Sequence, residues 1–280
     1  MQRLMLATDL STRSHRALER SLRLAGEFGA RLSIVHIVDE DLPDSIAEQH
    51  RRLAEQSLRD RVEALPSAAS LDVAIHVVLG RVAREILRLA EEEQAELLVL
   101  GARREERFAD LFRGTTPERV VRAGKLPVLV AAGKVQGPYR RVIIGVDFSI
   151  YSRRSIEYAA ALLPEAQFFL VHAYEVPFAA FLHARETEAA VGEQHERQLT
   201  AMINEELSAL ERAHGATAPL FQRVMRLGRP AEVICAEVER LRPDLLVVGT
   251  HGRTGVPHAI LGSVAENLLT DPPCDVLVVR

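Results

Sequence analysis

The residues best suited to chemistry on a small anionic ligand lie in one glycine-punctuated stretch, Gly249-Thr-His-Gly252-Arg-Thr-Gly255-Val-Pro-His-Ala-Ile-Leu-Gly262-Ser263. An apolar β-branched run, residues 245–248, leads into it, and a run of helical period, residues 264–269, leads out. Glycines at 249, 252, 255 and 262 permit positive φ and close approach of backbone to ligand, and the first N–H groups of a helix lack internal partners. Such a loop can cradle phosphates. A plain strand-to-helix connection of ~2–6 residues has no need of so many glycines. Two residues separate Gly249 from Gly252, nine separate Gly252 from Gly262, and a hydroxyl residue follows at once. This is not a Walker A loop, because Ser263 does not follow a Gly-Lys pair and no lysine stands between Leu245 and Asp271. Backbone amides, Ser263 and Arg253 are left to carry the phosphates. Ser263-Val-Ala-Glu266 also reads as an ordinary capping box, and the glycines before it favour the ligand reading.

A carboxylate and four histidines are the other candidates. Asp147 ends an apolar run, where it either caps the next helix or helps hold Mg²⁺ beside phosphates, although no second carboxylate motif accompanies it. His36 and His172 occupy matched strand positions and read as satisfied, half-buried side chains. His251 and His258 lie in the loop, open either to proton transfer or to solvent. No catalytic residue and no metal site is assigned.

The elements that must position these residues come as an internal repeat. Arg3-Leu-Met-Leu-Ala-Thr-Asp9-Leu-Ser11 is answered by Arg141-Val-Ile-Ile-Gly-Val-Asp147-Phe-Ser149, and Leu32-Ser-Ile-Val-His36 by Phe168-Phe-Leu-Val-His172. Val78-Leu-Gly80-Arg81 matches Arg226-Leu-Gly228-Arg229, Ala95 to Gly101 matches Pro243 to Gly249, and Leu126-Pro-Val-Leu-Val130 matches Cys274-Asp-Val-Leu-Val278. The offset grows from 138 to 148, so the second copy carries extra residues near the polar segment 185–214, which reads as helical. Two domains follow, residues 1–134 and 139–280, joined by the short Ala132-Gly-Lys-Val-Gln-Gly-Pro-Tyr139 linker. In each, short β-branched runs alternate with segments of helical period. Near-continuous apolar strands fit a parallel sheet covered on both faces. The expected fold is α/β: two tandem open, mostly parallel five-stranded sheets with helices on both faces, Rossmann-like, each with its ligand site at the carboxyl ends of the strands.

The first copy of the loop departs from the second. It reads Gly101-Ala-Arg-Arg104-Glu-Glu-Arg-Phe-Ala-Asp-Leu-Phe-Arg-Gly114-Thr115, with Arg104 at the place of Gly252. A Cβ and a long side chain then stand where backbone should approach a ligand. Gly114-Thr115-Thr116-Pro117-Glu118 survives as a helix start. Asp9, Gly101, Gly114 and Thr115 are the residues of a lesser first-domain site. Arg103, Arg104, Arg107 and Arg113 either offer charge to a phosphate or alternate with glutamate on a solvated face.

Composition excludes several classes. The chain has 280 residues, 48% hydrophobic and 26% charged, with two cysteines that show no metal or disulfide spacing. A net charge of −4 gives no general drive toward nucleic acid or an anionic membrane. No apolar run approaches the ~20 residues of a membrane span, and a cytoplasmic location is the expectation.

The loop pattern G-2x-G-9x-G-[S/T], with Asp147, Val171-His172-Ala173 and the closing Pro273-Cys-Asp-Val-Leu-Val-Val279 run, resembles the ATP-binding branch of the universal stress protein family. The resemblance spans the chain as two repeats. It implies an adenine nucleotide alpha hydrolase-like fold and a bound ATP, ADP or AMP, with or without Mg²⁺. It further implies that Asp147 lies near the ribose or adenine, that backbone around Ala173 meets the adenine edge, and that Gly249, Gly252, Arg253, Gly262, Ser263 and Val264 surround the phosphates and ribose. The last strands of the two repeats are expected to pair antiparallel as an intrachain pseudo-dimer, with further homodimerisation open. Motifs of adenylating relatives, SGGxDS and HxGH, are absent. Three functions stay open: a nucleotide-dependent stress regulator acting on an unidentified protein partner, a weak ATPase or autophosphorylating enzyme, and a nucleotide-free scaffold.

Overall fold

A computed structural model describes residues 1–102, 115–175, 197–198, 200–205, 208, 212, 220–252 and 261–280. The first repeat runs β1 (Arg3–Ala7), α1 (Thr12–Phe28), β2 (Arg31–Val38), α2 (Asp44–Glu63), β3 (Val73–Leu79), α3 (Val82–Glu92), β4 (Leu97–Gly101), α4 (Thr116–Ala123) and β5 (Val128–Ala131). The second runs β6 (Arg141–Gly145), α5 (Ile150–Leu162), β7 (Gln167–Tyr174), β8 (Leu220–Leu227), α6 (Pro230–Leu241), β9 (Leu245–Gly249), α7 (Ser263–Thr270) and β10 (Asp275–Val279).

Periodicity explains these elements. In α1 the buried residues Ala17, Leu18, Ser21, Leu22 and Ala25 fall on one stripe, Ser11 caps the start, and Gly29 at φ 60° ends the helix. Leu97, Leu98 and Val99 are fully buried, as are Leu245, Leu246 and Val247, because helices cover both faces of a parallel sheet. The matched glycines Gly80 and Gly228 adopt φ of 151° and 138°, where an L side chain is strained, and turn β3 into α3 and β8 into α6.

The chain forms two compact units. One comprises Met1–Pro138 together with Val256–Arg280, and the other Tyr139–Gly255. In the first, the strands lie in the order β3-β2-β1-β4-β5, all parallel. In the second the order is β8-β7-β6-β9, again parallel. The order reverses between β1 and β4 in one and between β6 and β9 in the other, so the carboxyl ends of those pairs are where an open sheet offers a ligand crevice.

β10 belongs to the first unit and runs antiparallel to β5, with Leu277 opposite Leu129, the pairing that the family resemblance implies. Its first residue, Asp275, is 1% exposed and stands where the first repeat has Pro127. The carboxylate accepts from Arg20 Nε at 2.9 Å and from the N–H groups of Ala132 and Gly133 at 2.9 and 2.7 Å. Arg20 also donates to Gly137 O at 3.0 Å. A buried ion pair persists only where hydrogen bonds satisfy both partners, and here they do so by clasping residues 132–137 to α1 and β10. Beside this seam Arg122 on α4 pairs with Glu266 on α7 at 2.8 Å, and Thr270 Oγ1 donates to Glu118 Oε1 at 2.9 Å.

Candidate functional site

Each repeat places a carboxylate at its first strand's exit through the same backbone device. Thr8 N–H donates to Val35 O and Val146 N–H to Val171 O, both at 2.9 Å, continuing the ladder one residue past the strand. Leu10 and Phe148 then take φ of 61° and 62°, a left-handed conformation that costs a non-glycine residue roughly 1–2 kcal/mol. The following hydrogen bonds offset that cost at about 0.5–1.5 kcal/mol each. Asp9 Oδ1 accepts from Ser11 N–H at 2.9 Å, and Asp147 Oδ1 from Ser149 N–H at 3.0 Å. The hydroxyls of Ser11 and Ser149 cap α1 and α5 by accepting from Ser14 and Ser152 N–H. The aspartates therefore support the caps, which the serines supply.

His36 and His172 close the device. His36 Nδ1 lies 2.8 Å from Thr8 O, and His172 Nδ1 lies 2.6 Å from Val146 O. A carbonyl only accepts, so Nδ1 carries the hydrogen in both rings. His172 is 6% exposed, and its ring meets Phe148 with centroids 4.7 Å apart. These are satisfied histidines, as their matched strand positions suggest.

The two corners differ in what else the carboxylate receives. In the first repeat the Ser14 hydroxyl donates to Asp9 Oδ1. Partial burial raises the Asp9 carboxyl pKa, and hydrogen bonds from Ser11 and Ser14 lower it by more, leaving it below the ordinary aspartate value. In the second repeat the Ser152 hydroxyl donates instead to Ser149 O at 3.0 Å. Asp147 is half-buried and faces Gly252: a Cβ on that glycine would stand 2.8 Å from Asp147 Oδ2.

The start of the glycine loop is built by close approach. A Cβ on Gly249 would meet Tyr151 Cβ at 2.8 Å, so β9 reaches α5 only as glycine. His251 packs its ring on Tyr151 at 4.9 Å and places Nδ1 3.0 Å from Thr250 Oγ1. Positive φ is not the reason for these glycines. Among the described glycines only Gly29, Gly80 and Gly228 adopt it, while Gly262 has φ −63°. Arg253, Gly255 and His258 lie outside the described residues, as do Arg103, Arg104, Arg107, Arg113, Gly114 and much of the segment 185–214.

The starts of α4 and α7 correct the capping-box expectation for Ser263. The N-cap of α7 is Gly262 and Ser263 is the first helical residue, so neither supplies a side-chain cap. Glu266 N–H bonds Gly262 O at 2.9 Å as an ordinary helical turn, and the Glu266 carboxylate goes to Arg122. In α4, by contrast, Thr115 Oγ1 accepts from Glu118 N–H at 3.3 Å while Glu118 Oε2 accepts from Thr115 N–H at 3.2 Å.

The structure thus brings Asp147, Gly249 and Gly252 around the exits of β6 and β9, with Ala173 on neighbouring β7. Gly262, Ser263 and Val264 open α7 in the other compact unit. In the first unit Asp9 follows β1, Gly101 ends β4 and Thr115 caps α4. Sequence reasoning missed the left-handed Leu10 and Phe148. Their residue types give no signal of it, because a bulky side chain disfavours that conformation.

Comparison with known proteins accounts for the duplicated geometry. The model of the Universal stress protein family matches twice, over residues 1–132 and 138–280. A universal stress protein of Thermus aquaticus is 31% identical over 144 residues, 51% of this chain and 99% of that protein. One of Mycobacterium tuberculosis (strain ATCC 25618 / H37Rv) is 32% identical over 144 residues, 51% of this chain and 97% of that protein. The crystal structure of a universal stress protein from Archaeoglobus fulgidus superposes with a TM-score of 0.72 at 20% identity, covering 99% of this chain and 96% of that one, which supports the same fold along the whole length. The chain belongs to the universal stress protein family, in a form that carries the family's domain twice in tandem.

Proposed function

We propose that the second repeat binds an adenine nucleotide, ATP or its ADP or AMP products, and that the protein acts in the cytoplasm as a nucleotide-dependent stress regulator with no more than slow hydrolysis. The observation that carries this reading is the close approach of Gly252 to Asp147, a cradle that a Cβ would fill. It stands at the sheet's switch point and inside a complete G-2x-G-9x-G-S motif. In this reading Asp147 meets the ribose or adenine, main chain near Ala173 meets the adenine edge, and the loop motif contributes Gly249, Gly252, Arg253, Gly262, Ser263 and Val264 to phosphates and ribose. Mg²⁺, where it accompanies ATP, is held chiefly by phosphate oxygens. Asp147 Oδ1 already accepts from Ser149, and no three His, Cys, Asp or Glu side chains gather as a metal site among the described residues.

Regulation follows from differential affinity: a nucleotide that binds one arrangement of the loop better shifts the population toward it and changes the surface a protein partner reads. The test is the nucleotide released on denaturing freshly purified protein, identified by mass and counted per chain. About one adenine nucleotide per chain is the expected result for a single working site in the second repeat. None, even after added ATP, overturns the reading.

A further inference from the structure

We infer that the buried Arg20–Asp275 pair selects the strand that closes the edge of β5, so that the first repeat accepts the last strand of the second and refuses a copy of its own. The backbone of that edge makes no such choice. Leu129 stands opposite Leu277, Val130 opposite Val276 and Val128 opposite Val278. Leu129 and Leu277 are matched residues of the two repeats, so the register is symmetric about them, and each strand meets its partner as it would meet itself. The flanking helices follow the same rule. Glu118 and Glu266 occupy matched positions, as do Arg122 and Thr270, and the structure joins Arg122 to Glu266 and Thr270 to Glu118. A β5 facing a second β5 would form an Arg122–Glu118 pair on each side, so the helices favour a dimer of first repeats if anything.

The selector stands at the ends of the strands. In the second repeat Arg20 is answered by Tyr158, and in the first Asp275 is answered by Pro127. A second β5 would therefore bring Arg20 a proline, which has no carboxylate, and a second β10 would bring Asp275 a neutral phenol. Only β5 with β10 unites guanidinium and carboxylate, with Arg20 Nε 2.9 Å from Asp275 Oδ2, while Asp275 Oδ1 accepts from the Ala132 and Gly133 N–H groups just past β5. These contacts all lie within one compact unit. Arg20 and Asp275 are buried, whereas the side chains of Arg122 and Glu266 are 41% and 43% exposed. Breaking a buried pair costs several times what an exposed pair contributes, so the extra Arg122–Glu118 contact of a first-repeat dimer does not offset the loss. The edge of β5 thus fits a partner strand that opens on a carboxylate, and the second repeat carries it.

Position 129 is the centre of the symmetric register, so a cysteine there meets its own copy only when two first repeats pair across chains. Directly opposed residues of antiparallel strands have Cα atoms ~4.5–5.5 Å apart, a span that a disulfide bridges. The experiment oxidises the full chain carrying Leu129→Cys, alone or with the carboxylate moved between strands by Pro127→Asp plus Asp275→Ala, and quantifies the interchain disulfide at position 129 by peptide mass. Leu129→Cys with Leu277→Cys, which bridges within one chain, calibrates the yield. The transposed variant is expected to give about tenfold or more of the interchain disulfide than Leu129→Cys alone. Equal yields in the two overturn the inference. If Asp275→Ala does not fold, Pro127→Asp alone leaves the native pair intact and makes the first repeat complementary to itself. Its interchain yield is expected to rise above that of Leu129→Cys alone as protein concentration increases, because the new pairing competes with a tethered one. A yield that stays level with Leu129→Cys at every concentration overturns the inference.

Discussion

The two repeats share one backbone and spend their polar groups differently. In the first, Asp9 accepts from both Ser11 and the Ser14 hydroxyl, and α4 is closed by the reciprocal Thr115 and Glu118 bonds. In the second, the Ser152 hydroxyl turns to main chain, α7 starts on a glycine with no side-chain cap, and Gly252 stands against the carboxylate where the first repeat has Arg104. A helix start closed by reciprocal side-chain bonds has less to offer an anion than one whose N-cap is a glycine. Duplication let one fold be kept in both forms. The copies also part at their last strands, where Pro127 is answered by Asp275.

That last difference predicts the largest effect. Asp275→Ala removes the partner of a 3% exposed arginine and the acceptor of two linker N–H groups. Breaking a buried pair by deleting one member costs about 3–5 kcal/mol. Chemical denaturation should show a loss of that size, and a loss below about 1 kcal/mol would mean that the clasp contributes no more than a surface pair.

Gly252→Arg sharpens the comparison at the loop by giving the second repeat the first repeat's residue. A Cβ placed 2.8 Å from Asp147 Oδ2 must displace the carboxylate or the loop, and ATP affinity should drop about 100-fold or more, near 2.7 kcal/mol. Arg104→Gly is the reciprocal change. It should create no comparable site, because the closed cap at Thr115 and the Ser14 bond to Asp9 remain. Tight ATP binding gained by that single substitution would show that the arginine alone separates the copies.

Much of this was legible in the sequence, and for physical reasons. The α/β fold and its duplication show in runs such as Leu245-Leu-Val-Val248, whose continuous apolar character only a doubly covered strand requires. The pairing of the last strands followed from the family resemblance. What the sequence did not show was how each motif residue works. Gly249 and Gly252 read as sites of positive φ and of close approach to a ligand, yet within the chain they answer to distant neighbours, Tyr151 and Asp147. Ser263 read as a cap but stands one position inside the helix, a distinction that depends on where the preceding loop places Gly262. Neither Phe148 nor His172 announces a constraint by its residue type. His172 meets a carbonyl 26 residues away in sequence, and Phe148 meets the ring of His172.

The helix starts give a smaller and cleaner contrast. Thr115→Ala removes a side-chain cap and should cost about 1 kcal/mol of stability. Ser263→Ala removes no cap bond and should change stability by less than about 0.5 kcal/mol, while weakening ATP binding. Equal stability losses would place Ser263 in a cap after all.

Acid should reveal the smallest difference, at Asp9. Its folded pKa lies below the ordinary aspartate value, so the carboxylate contributes stability that is fully present above the unfolded value and is lost as pH falls through the folded one. Asp9→Asn removes that pH-dependent share, so the gap in urea midpoint between wild type and variant should be widest near neutrality and narrow as pH falls below about 4. A gap that stays constant from neutrality to acid would mean that Ser11 and Ser14 hold asparagine as well as they hold the carboxylate. The first corner would then be closed by geometry alone, and the contrast with Asp147 would rest on Gly252 and not on charge.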